Sequence, residues 1–347
     1  MHYHLIGIAG TAMASLAGLL WEKGHRVTGS DHGVYPPMSI MLDQLRIDYA
    51  RAFGPANLES APDVVVVGNA ISRGNPELEA VLDRRLHYTS SAATVREEFL
   101  RGRHVLAVAG THGKTTTCSI LAWLLERAGL NPAFLVGGVA ANFGRSFRLT
   151  DSELFVIEAD EYDTAYFDKG PKMWHYLPHT AVVTNVEFDH ADIYADWAEY
   201  KRAFHAFAAL PPPDGLLVLN GEDAEVRKLA KRTWARVRLY GQEGKEPDGL
   251  SFDVAARDLT PVPGGQTFSL VVHGEAVADV RLPMGGRYNA LNALAVAAVA
   301  LDAGATPAQV AAGLTTFRGM KRRQEVVHDG RVLVVPRRSG RGAEATS

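Results

Sequence analysis

The sequence has very little cysteine: Cys118 is the only one among 347 residues. A single cysteine excludes an internal disulfide framework and a zinc site built from several cysteines. A strong excess of charge is also missing, because 36 lysines and arginines face 39 aspartates and glutamates, a net charge of −3. The bulk charge therefore predicts no nucleic-acid partner and no attraction to an anionic membrane.

Long hydrophobic runs are missing too. No apolar stretch approaches the roughly 20 residues that span a bilayer. The N-terminus enters a strand-like run at residues 3–8 without the basic and apolar regions of a signal peptide. With 47% hydrophobic and 22% charged residues, the composition is that of an ordinary globular protein. We expect a cytoplasmic protein with no membrane partner; its oligomeric state cannot be read from the sequence.

The first hundred residues alternate strand-like and helix-like patterns. Apolar runs predict strands at 3–8, 26–29 and 63–67, and the intervening patterns predict helices at 11–23, 38–45 and 76–85. Alternation at this spacing is typical of an α/β fold with a parallel sheet and crossover helices. We interpret residues 1–102 as a Rossmann-like domain.

A second α/β cycle begins at residues 104–109 and defines a predicted domain at 103–318. The remaining strands and helices of this domain are predicted at 115–128, 154–158, 180–185 and 288–303. Residues 211–285 contain short alternating segments, such as 266–272 and 276–282, which predict a small antiparallel excursion. Both the order of elements and the turn described next favour a central domain of the P-loop type.

The end of the chain reads differently. We interpret residues 319–335 as a linker followed by the first strand of a further domain, at 331–335. Residues 336–347 have no apolar periodicity and are rich in arginine and glycine, which predicts a disordered tail.

The strongest motif joins the strand at 104–109 to the helix that follows. Its predicted nucleotide-binding residues are Gly110, Thr111, His112, Gly113, Lys114, Thr115 and Thr116. Glycines allow backbone N–H groups to face phosphate oxygens, the helix N-terminus adds a positive dipole end, and Lys114 adds a full charge. The Thr115 hydroxyl suits a Mg²⁺ ion that bridges the phosphates. The usual P-loop spacing would place glycine at Val108, so the loop is a shortened variant; a glycine turn with a solvated lysine is the alternative.

Acidic and polar residues follow two further strands of this domain. Glu158 begins a Glu-Ala-Asp-Glu segment that ends one strand, and His190 belongs to the segment 185–190 that follows another. Polar residues at the carboxyl ends of parallel strands lie beside the ligand site, where carboxylates can hold a hard cation. Taken separately, a solvated acidic turn and a structural histidine are the alternatives; that three strand ends carry such residues favours a site.

A second glycine-rich turn follows the first strand of the chain. The predicted ligand-binding residues around it are Gly7, Gly10, Thr11, Asp31, Asn69 and Ala70, at the ends of three predicted strands. This turn is similar to a dinucleotide fingerprint, but Met13 stands at the third glycine position. It predicts a diphosphate site, with a ligand-free helix-packing turn as the alternative.

Two further motifs are weaker. Asn289 and Asn292 are three residues apart on one helical face, where they could present amides to adenine or could serve as a cap or polar packing. The basic run 321–323 includes Arg323, which could contact the γ-phosphate or lie in an exposed turn.

Several longer strings together resemble the Mur ligases, the ATP-dependent amide-forming enzymes of bacterial cell-wall synthesis. The strings are residues 30–39, 68–76, 137–143, 158–169 and 187–193. They are most similar to the subgroup that attaches a murein tripeptide in peptidoglycan recycling, whereas the alanine-adding subgroup more typically has Ser in place of Tyr162. The resemblance covers about residues 1–333.

The resemblance implies roles for the residues already named. Lys114, Thr115 and Glu158 would hold the ATP phosphates and a first Mg²⁺, and His190 a second Mg²⁺. Asn289 and Asn292 would contact adenine, and Arg323 the phosphates; the catalytic residues implied are thus Lys114, His190 and Arg323. Gly10, Asp31 and Asn69 would line a UDP-sugar pocket. Tyr288 replaces a histidine common before the asparagine pair, and Lys201 is given no metal-bridging role.

The implied reaction joins UDP-N-acetylmuramate to L-Ala-γ-D-Glu-meso-diaminopimelate through an acyl phosphate, with release of ADP and phosphate. A ligase specific for L-alanine and a non-catalytic nucleotide-binding fragment are the alternatives. Relatives in this family continue after a strand equivalent to 331–334 into Asp-Asp-Phe-Ala-His-His-Pro and a third domain. Because this sequence departs from that pattern after residue 335, we expect the chain to bind nucleotide but to ligate poorly.

Overall fold

A computed structural model of the protein describes residues 1–189 and 193–320, together with two short strands at His328–Asp329 and Leu333–Val334. Two large sheets account for most of the strands. The first uses residues 2–90 and the second uses residues 104–282. The predicted domain boundary near residue 102 falls in the segment that joins them.

The first sheet has five strands, each parallel to its neighbours. They are β1 His2–Ile6, β2 Arg26–Ser30, β3 Asp48–Ala50, β4 Val64–Val67 and β5 Tyr88–Ser90, in the order β3-β2-β1-β4-β5. Its helices are α1 Thr11–Glu22, α2 Met38–Gln44, α3 Pro76–Asp83 and α4 Ser91–Val95, with shorter helical turns at Pro55–Leu58 and Arg96–Leu100. The order reverses between β1 and β4, and ligands of such sheets bind at the carboxyl ends beside that reversal.

The second sheet has ten strands. Its first strands are β6 His104–Ala109, β7 Ala133–Leu135, β8 Phe147–Arg148 and β9 Leu154–Glu158. A separate hairpin follows, made of β10 Asp163–Ala165 and β11 Asp168–Pro171. The sheet continues with β12 Thr180–Val183, β13 Leu216–Asn220, β14 Arg236–Gln242, β15 Val254–Val262, β16 Gly265–Val272 and β17 Glu275–Leu282. The strand order is β17-β16-β15-β14-β13-β12-β6-β9-β7-β8.

Helices cover both faces of this sheet. They are α5 Lys114–Arg127, α6 Trp197–Ala208, α7 Ala224–Arg227, α8 Arg287–Asp302 and α9 Pro307–Thr315, with 3₁₀ turns at Lys172–His175 and Lys228–Arg232. In α8 the alanine-rich run 293–300 is completely buried because small side chains let the helix approach α5 and the sheet closely. A capping box between Thr306 and Gln309 fixes the start of α9. Among the described residues, no helix is long and apolar enough to cross a membrane.

The α/β fold predicted from the sequence is confirmed, with one revision in residues 211–285. Strands β15 to β17 are antiparallel, as predicted. However, β13 and β14 run parallel to β12 and extend the central sheet, so the antiparallel part is an extension of that sheet. The predicted strand at 331–335 corresponds to β19 Leu333–Val334, which pairs with β18 His328–Asp329. The predicted tail 336–347 lies outside the described residues.

Candidate active site

The loop between β6 and α5 lies at the carboxyl edge of the second sheet. Ala109, the last residue of β6, is in register with Val183 of β12, and Val108 is in register with Glu158 of β9. Gly110 has a φ of 138° and Gly113 a φ of 85°, both in the region that favours glycine. The loop therefore turns sharply and delivers residue 114 as the first residue of α5.

The end of β12 supports this loop through hydrogen bonds. The Thr111 amide donates to the Asn185 carbonyl at 3.1 Å. The His112 amide donates to Asn185 Oδ1 at 2.8 Å, and Thr184 Oγ1 donates to the His112 carbonyl at 2.8 Å. Two of the amides expected to face phosphate are thus used inside the protein. The amides that could still bind phosphate are those at the start of α5, because their N–H groups have no partner within the helix.

The Thr111 side chain is also engaged inside the protein. Its hydroxyl lies 2.9 Å from the Tyr200 hydroxyl and within hydrogen-bonding distance of the Glu187 main chain. Burial raises the pKa of Tyr200, so this phenol stays protonated. Thr111 therefore fixes the loop against α6 and the segment after β12.

Lys114 is buried against the loop that precedes it. Its Nζ donates to the Gly110 carbonyl at 2.7 Å and to the Thr111 carbonyl at 3.3 Å. It also forms an ion pair with Glu161, at 2.7 Å to Oε2 and 3.0 Å to Oε1. Glu161 has no exposed surface and Lys114 is 9% exposed. The ammonium is thus held at the base of the loop by two carbonyls and a carboxylate.

Glu158 contacts the first turn of α5 and the segment after β7. Its Oε1 accepts from the Thr115 hydroxyl at 2.9 Å, and its Oε2 accepts from the Gly137 amide at 2.7 Å. Burial raises the pKa of Glu158, against the two hydrogen bonds and the charge of Lys114. A hydroxyl and a half-buried carboxylate, 2.9 Å apart, are the hard oxygen ligands that Mg²⁺ takes together with phosphates and water. The residues present fit such an ion.

Mg²⁺ does not require a cage of protein ligands. In residues 1–189 and 193–320 no group of three or more histidine, cysteine, aspartate or glutamate side chains forms a metal site. One or two carboxylates with substrate phosphates are the usual arrangement for Mg²⁺ in nucleotide sites. His190 and Arg323, predicted as a second metal ligand and a phosphate contact, lie outside the described residues.

The asparagine pair lies at the start of α8. A Cβ atom placed on Gly113 would come within 2.9 Å of Asn292 Oδ1, so this amide lies directly over the loop. Asn289 is buried and its Nδ2 donates to the Gly285 carbonyl at 2.7 Å. Asn292 therefore adjoins the predicted nucleotide site, while Asn289 holds the turn before α8; adenine contact by either residue remains a prediction. Thr116 is half-buried in the first turn of α5.

The first sheet brings the other set of predicted residues together. Ile6 of β1 is in register with both Ser30 and Val67, so the ends of β1, β2 and β4 meet at one edge. Gly7, with a φ of 86°, and the next residue donate their amides to the Ser30 carbonyl. Gly10 caps α1 and Thr11 is its first residue.

Asp31 and the turn after β4 complete this edge. Asp31 Oδ2 accepts from the Ala9 amide at 2.9 Å, and Oδ1 accepts from the Gly33 amide at 3.0 Å. A Cβ on Gly7 would lie 3.4 Å from Ile71, which directly follows Asn69 and Ala70. Asp31 thus orients the glycine turn, and Asn69 and Ala70 follow β4 at the same sheet edge; UDP-sugar binding by these residues remains a prediction.

Comparison with known proteins places this geometry in a family. Residues 2–102 match the Mur ligase family catalytic domain, and residues 108–300 match the Mur ligase middle domain. The chain belongs to the Mur ligase family.

Two curated Mur ligases of high similarity carry the same name, UDP-N-acetylmuramate–L-alanyl-γ-D-glutamyl-meso-2,6-diaminoheptandioate ligase. The Haemophilus influenzae protein is 42% identical over 94% of this chain and 70% of its own length. The Escherichia coli protein is 40% identical over 94% of this chain and 69% of its own length. A UDP-N-acetylmuramate–L-alanine ligase of Thiobacillus denitrificans is 35% identical over 93% of this chain and 66% of its own length.

A solved Mur ligase structure has the same fold. The crystal structure of UDP-N-acetylmuramate:L-alanyl-γ-D-glutamyl-meso-diaminopimelate ligase from Neisseria meningitides has a TM-score of 0.84 and 41% sequence identity. The match covers 91% of this chain and 98% of that chain.

Sequence reasoning missed several residues that shape this Mur ligase site. Glu161 belongs to the acidic segment after β9, but no sequence pattern assigns it a role of its own. Its partner Lys114 lies 47 positions away in the sequence. Asn185 and Tyr200 also support the loop from a distance in sequence. The one available signal was the position of Asn185 directly after a buried strand, where polar side chains point toward the site.

Proposed function

We propose that this Mur ligase is an ATP- and Mg²⁺-dependent amide ligase that joins UDP-N-acetylmuramate to L-Ala-γ-D-Glu-meso-diaminopimelate in the cytoplasm, as a step of peptidoglycan recycling. The observation that carries the proposal is the β6–α5 loop, in which Lys114 and Thr115 lie between Glu161 and Glu158 at the sheet edge. High identity to two ligases of that name over 94% of the chain supports the choice of substrates.

The proposed reaction has two steps. A lactyl carboxylate oxygen attacks the γ-phosphorus of ATP, the bond to the β–γ bridging oxygen breaks, and ADP leaves. The alanyl amine then attacks the acyl carbon, the carbon–oxygen bond to phosphate breaks, and the nitrogen gives up a proton. Protein groups contribute by orientation and by balancing charge on the transferred phosphoryl group.

This chain's residues suit those tasks. The Lys114 ammonium and the amides at the start of α5 would balance phosphate charge. Thr115 Oγ1 and the Glu158 carboxylate would hold Mg²⁺, which would neutralise part of the charge on the phosphates. The turn at Gly7 and Gly10, bordered by Asp31, would receive the diphosphate of UDP-N-acetylmuramate.

A ligase specific for L-alanine is the second candidate. It is favoured by the 35% identity to an enzyme of that name, and disfavoured by the higher identity to the tripeptide ligases and by Tyr162. Tyr162 directly follows Glu161 in the chain, and Lys172 Nζ lies 5.7 Å from the centre of its ring.

The two candidates differ in the amine that they accept. We would incubate the purified chain with UDP-N-acetylmuramate, Mg·ATP and either the tripeptide or L-alanine, and measure ADP release and the product mass. The proposal predicts slow ADP release and product formation with the tripeptide, loss of both in Lys114→Ala, and no change in Lys245→Ala, which removes an exposed lysine. Product with L-alanine alone would favour the second candidate. Mg·ATP binding by calorimetry without any product would identify a non-catalytic nucleotide-binding module.

A further inference from the structure

A buried carboxylate lies in contact with the lysine of the candidate nucleotide site. We infer that Glu161 is a positioning residue for Lys114, which fixes its ammonium at the base of the loop and competes with phosphate oxygens for it. The inference rests on the proposed function, because it assigns a role beside the same nucleotide.

Acceptors inside the protein can satisfy every N–H donor of the Lys114 ammonium. Its ammonium has three N–H donors. Four acceptors lie within range: the carbonyls of Gly110 and Thr111 and both carboxylate oxygens of Glu161, at 2.7 to 3.3 Å. Because donors are fewer than acceptors, a phosphate oxygen gains an N–H from Lys114 only when one of these acceptors gives it up.

Burial makes the carboxylate a strong competitor. Glu161 has no exposed surface, and a buried charge that loses its partner is costly. Lys114 therefore stays close to Glu161 while its remaining N–H groups turn toward a ligand. A fixed ammonium position favours catalysis, whereas a carboxylate close to phosphates opposes their binding.

The backbone around Glu161 is held independently of Lys114. The Tyr194 hydroxyl donates to the Glu161 carbonyl at 2.5 Å, and the Met173 amide donates to the Asp160 carbonyl at 3.0 Å. The segment also continues directly from β9, which pairs with β6 at the root of the loop. Both partners of the ion pair are thus attached to neighbouring strands, which keeps their separation constant.

Glu161 and Glu158 have different surroundings and hence different roles. Glu158 accepts from a hydroxyl and a backbone amide and keeps partial exposure, as a metal-binding carboxylate requires. Glu161 is completely buried, and its two oxygens are both bonded to Lys114. Neutralising Glu158 should therefore weaken Mg·ATP binding, and neutralising Glu161 should strengthen it.

Nucleotide binding to Glu161→Gln tests the inference. Calorimetry would give the Kd for Mg·ATP, Mg·ADP and AMP with the parent chain, Glu161→Gln and Glu158→Gln. We expect Glu161→Gln to bind Mg·ATP and Mg·ADP about three- to tenfold more tightly, the size expected for removing a partly screened like charge. AMP binding should not change, because a lysine at this position of a P-loop contacts the β- and γ-phosphates, which AMP lacks. Asp163→Asn, which breaks the more exposed pair with Lys169, is the control and should bind all three nucleotides like the parent.

A double-mutant cycle shows whether the effect passes through the lysine. In a Lys114→Ala background, Glu161→Gln should leave Mg·ATP affinity unchanged, because the competition no longer exists. Urea unfolding of the same four proteins without nucleotide should show a favourable coupling between the two residues. That coupling tests the ion pair even when nucleotide binding is absent, so it separates a failure of this inference from a failure of the proposed function.

Two results would overturn the inference. Weaker Mg·ATP binding by Glu161→Gln would place this carboxylate among the groups that hold the ligand. An unchanged affinity in a folded Glu161→Gln protein would show that no competition takes place. If the parent itself binds no nucleotide, the proposed function fails, and the unfolding cycle then decides the inference: a favourable coupling supports Glu161 as the positioning residue of Lys114, and the absence of coupling overturns it.

Discussion

Glu77 on α3 is a carboxylate with no exposed surface, and it packs against the first sheet. Its Oε1 lies 2.6 Å from His4 Nε2 and accepts from Ser30 Oγ at 2.9 Å. Its Oε2 accepts from Asn57 Nδ2 at 2.6 Å and from the Gly54 amide at 3.0 Å. One side chain on α3 thus connects β1, β2 and the turn before Pro55–Leu58, and so holds the strands whose ends carry the glycine turn and Asp31.

The pKa of Glu77 predicts how pH affects stability. Burial alone would raise its pKa, but the hydrogen bonds from His4, Asn57 and Gly54 outweigh burial and hold it below the ordinary 4.5. A carboxyl whose folded pKa is lowered binds a proton more readily in the unfolded chain. Its stabilising contribution is therefore complete above the ordinary pKa and is lost as pH falls through the lowered folded value.

Glu77→Gln should lower the free energy of unfolding by about 2 kcal/mol at neutral pH, because a buried acceptor network loses its charge. Urea unfolding between pH 3.5 and 7 should also show a smaller decrease toward acid in the variant than in the parent. Glu59→Gln, which changes an exposed carboxylate nearby, is the matched control and should follow the parent. Equal acid slopes in Glu77→Gln and the parent would contradict this account.

At the scale of elements, the β6–α5 loop depends on close approach between β6 and the end of β12. Gly110 has a φ of 138°, and a Cβ at this position would collide with Thr184 Oγ1. That hydroxyl is needed in place because it donates to the His112 carbonyl. Gly129 also has a positive φ, of 82°, but it lies just after α5 with open space around it.

Gly110→Ala should therefore be far more damaging than Gly129→Ala. We expect Gly129→Ala to cost about 1 kcal/mol from backbone strain alone, with unchanged Mg·ATP binding. Gly110→Ala adds a steric clash, so we expect a loss of about 3 kcal/mol or more and at least roughly tenfold weaker Mg·ATP binding. Thermal unfolding and calorimetry on both variants measure these effects. Parent-like nucleotide affinity in Gly110→Ala would remove this loop from the nucleotide site.

The same elements show how far sequence reasoning reaches. Strands such as β6 and β9 were predictable because an apolar run ends in a glycine or a carboxylate. Strands β3 and β7 have only three residues each, too few to establish a period. β13 is as apolar as β12, but its parallel pairing is set by neighbours far away in sequence, so no local pattern distinguishes it from an antiparallel strand.

The residues of the candidate site also fall into two groups: those that local sequence identifies and those that only the fold brings in. Lys114 and Thr115 were identifiable because glycine spacing and helix position act locally. The partners that orient them, Glu161 and Asn185, come from other strand ends and become visible only when β6, β9 and β12 are placed side by side. Local sequence therefore predicts the phosphate-binding loop, and the topology determines what holds it.

At the scale of the whole molecule, the two sheets share packed surface through α1 and the strand β8. The Phe147 ring, 2% exposed, lies against Gly18 of α1, where any Cβ would clash with it. Ser15 Oγ lies 2.7 Å from Ser146 Oγ, and Glu22 accepts from Arg145 and from the Leu149 amide. A glycine and an aromatic ring in such close contact join residues of both sheets into one apolar cluster.

Phe147→Ala should uncouple the unfolding of the two units. Loss of a buried aromatic ring costs about 3–5 kcal/mol and here removes the contact of β8 with Gly18 of α1. In calorimetry we expect the parent to unfold in one transition that either ligand raises, because a ligand stabilises whatever unfolds with its site. In the variant, UDP-N-acetylmuramate should raise one transition and Mg·ATP the other. Trp234→Ala, at an 88% exposed position, should behave like the parent. A single transition in Phe147→Ala that responds to both ligands would show that other contacts are sufficient to unite the two sheets.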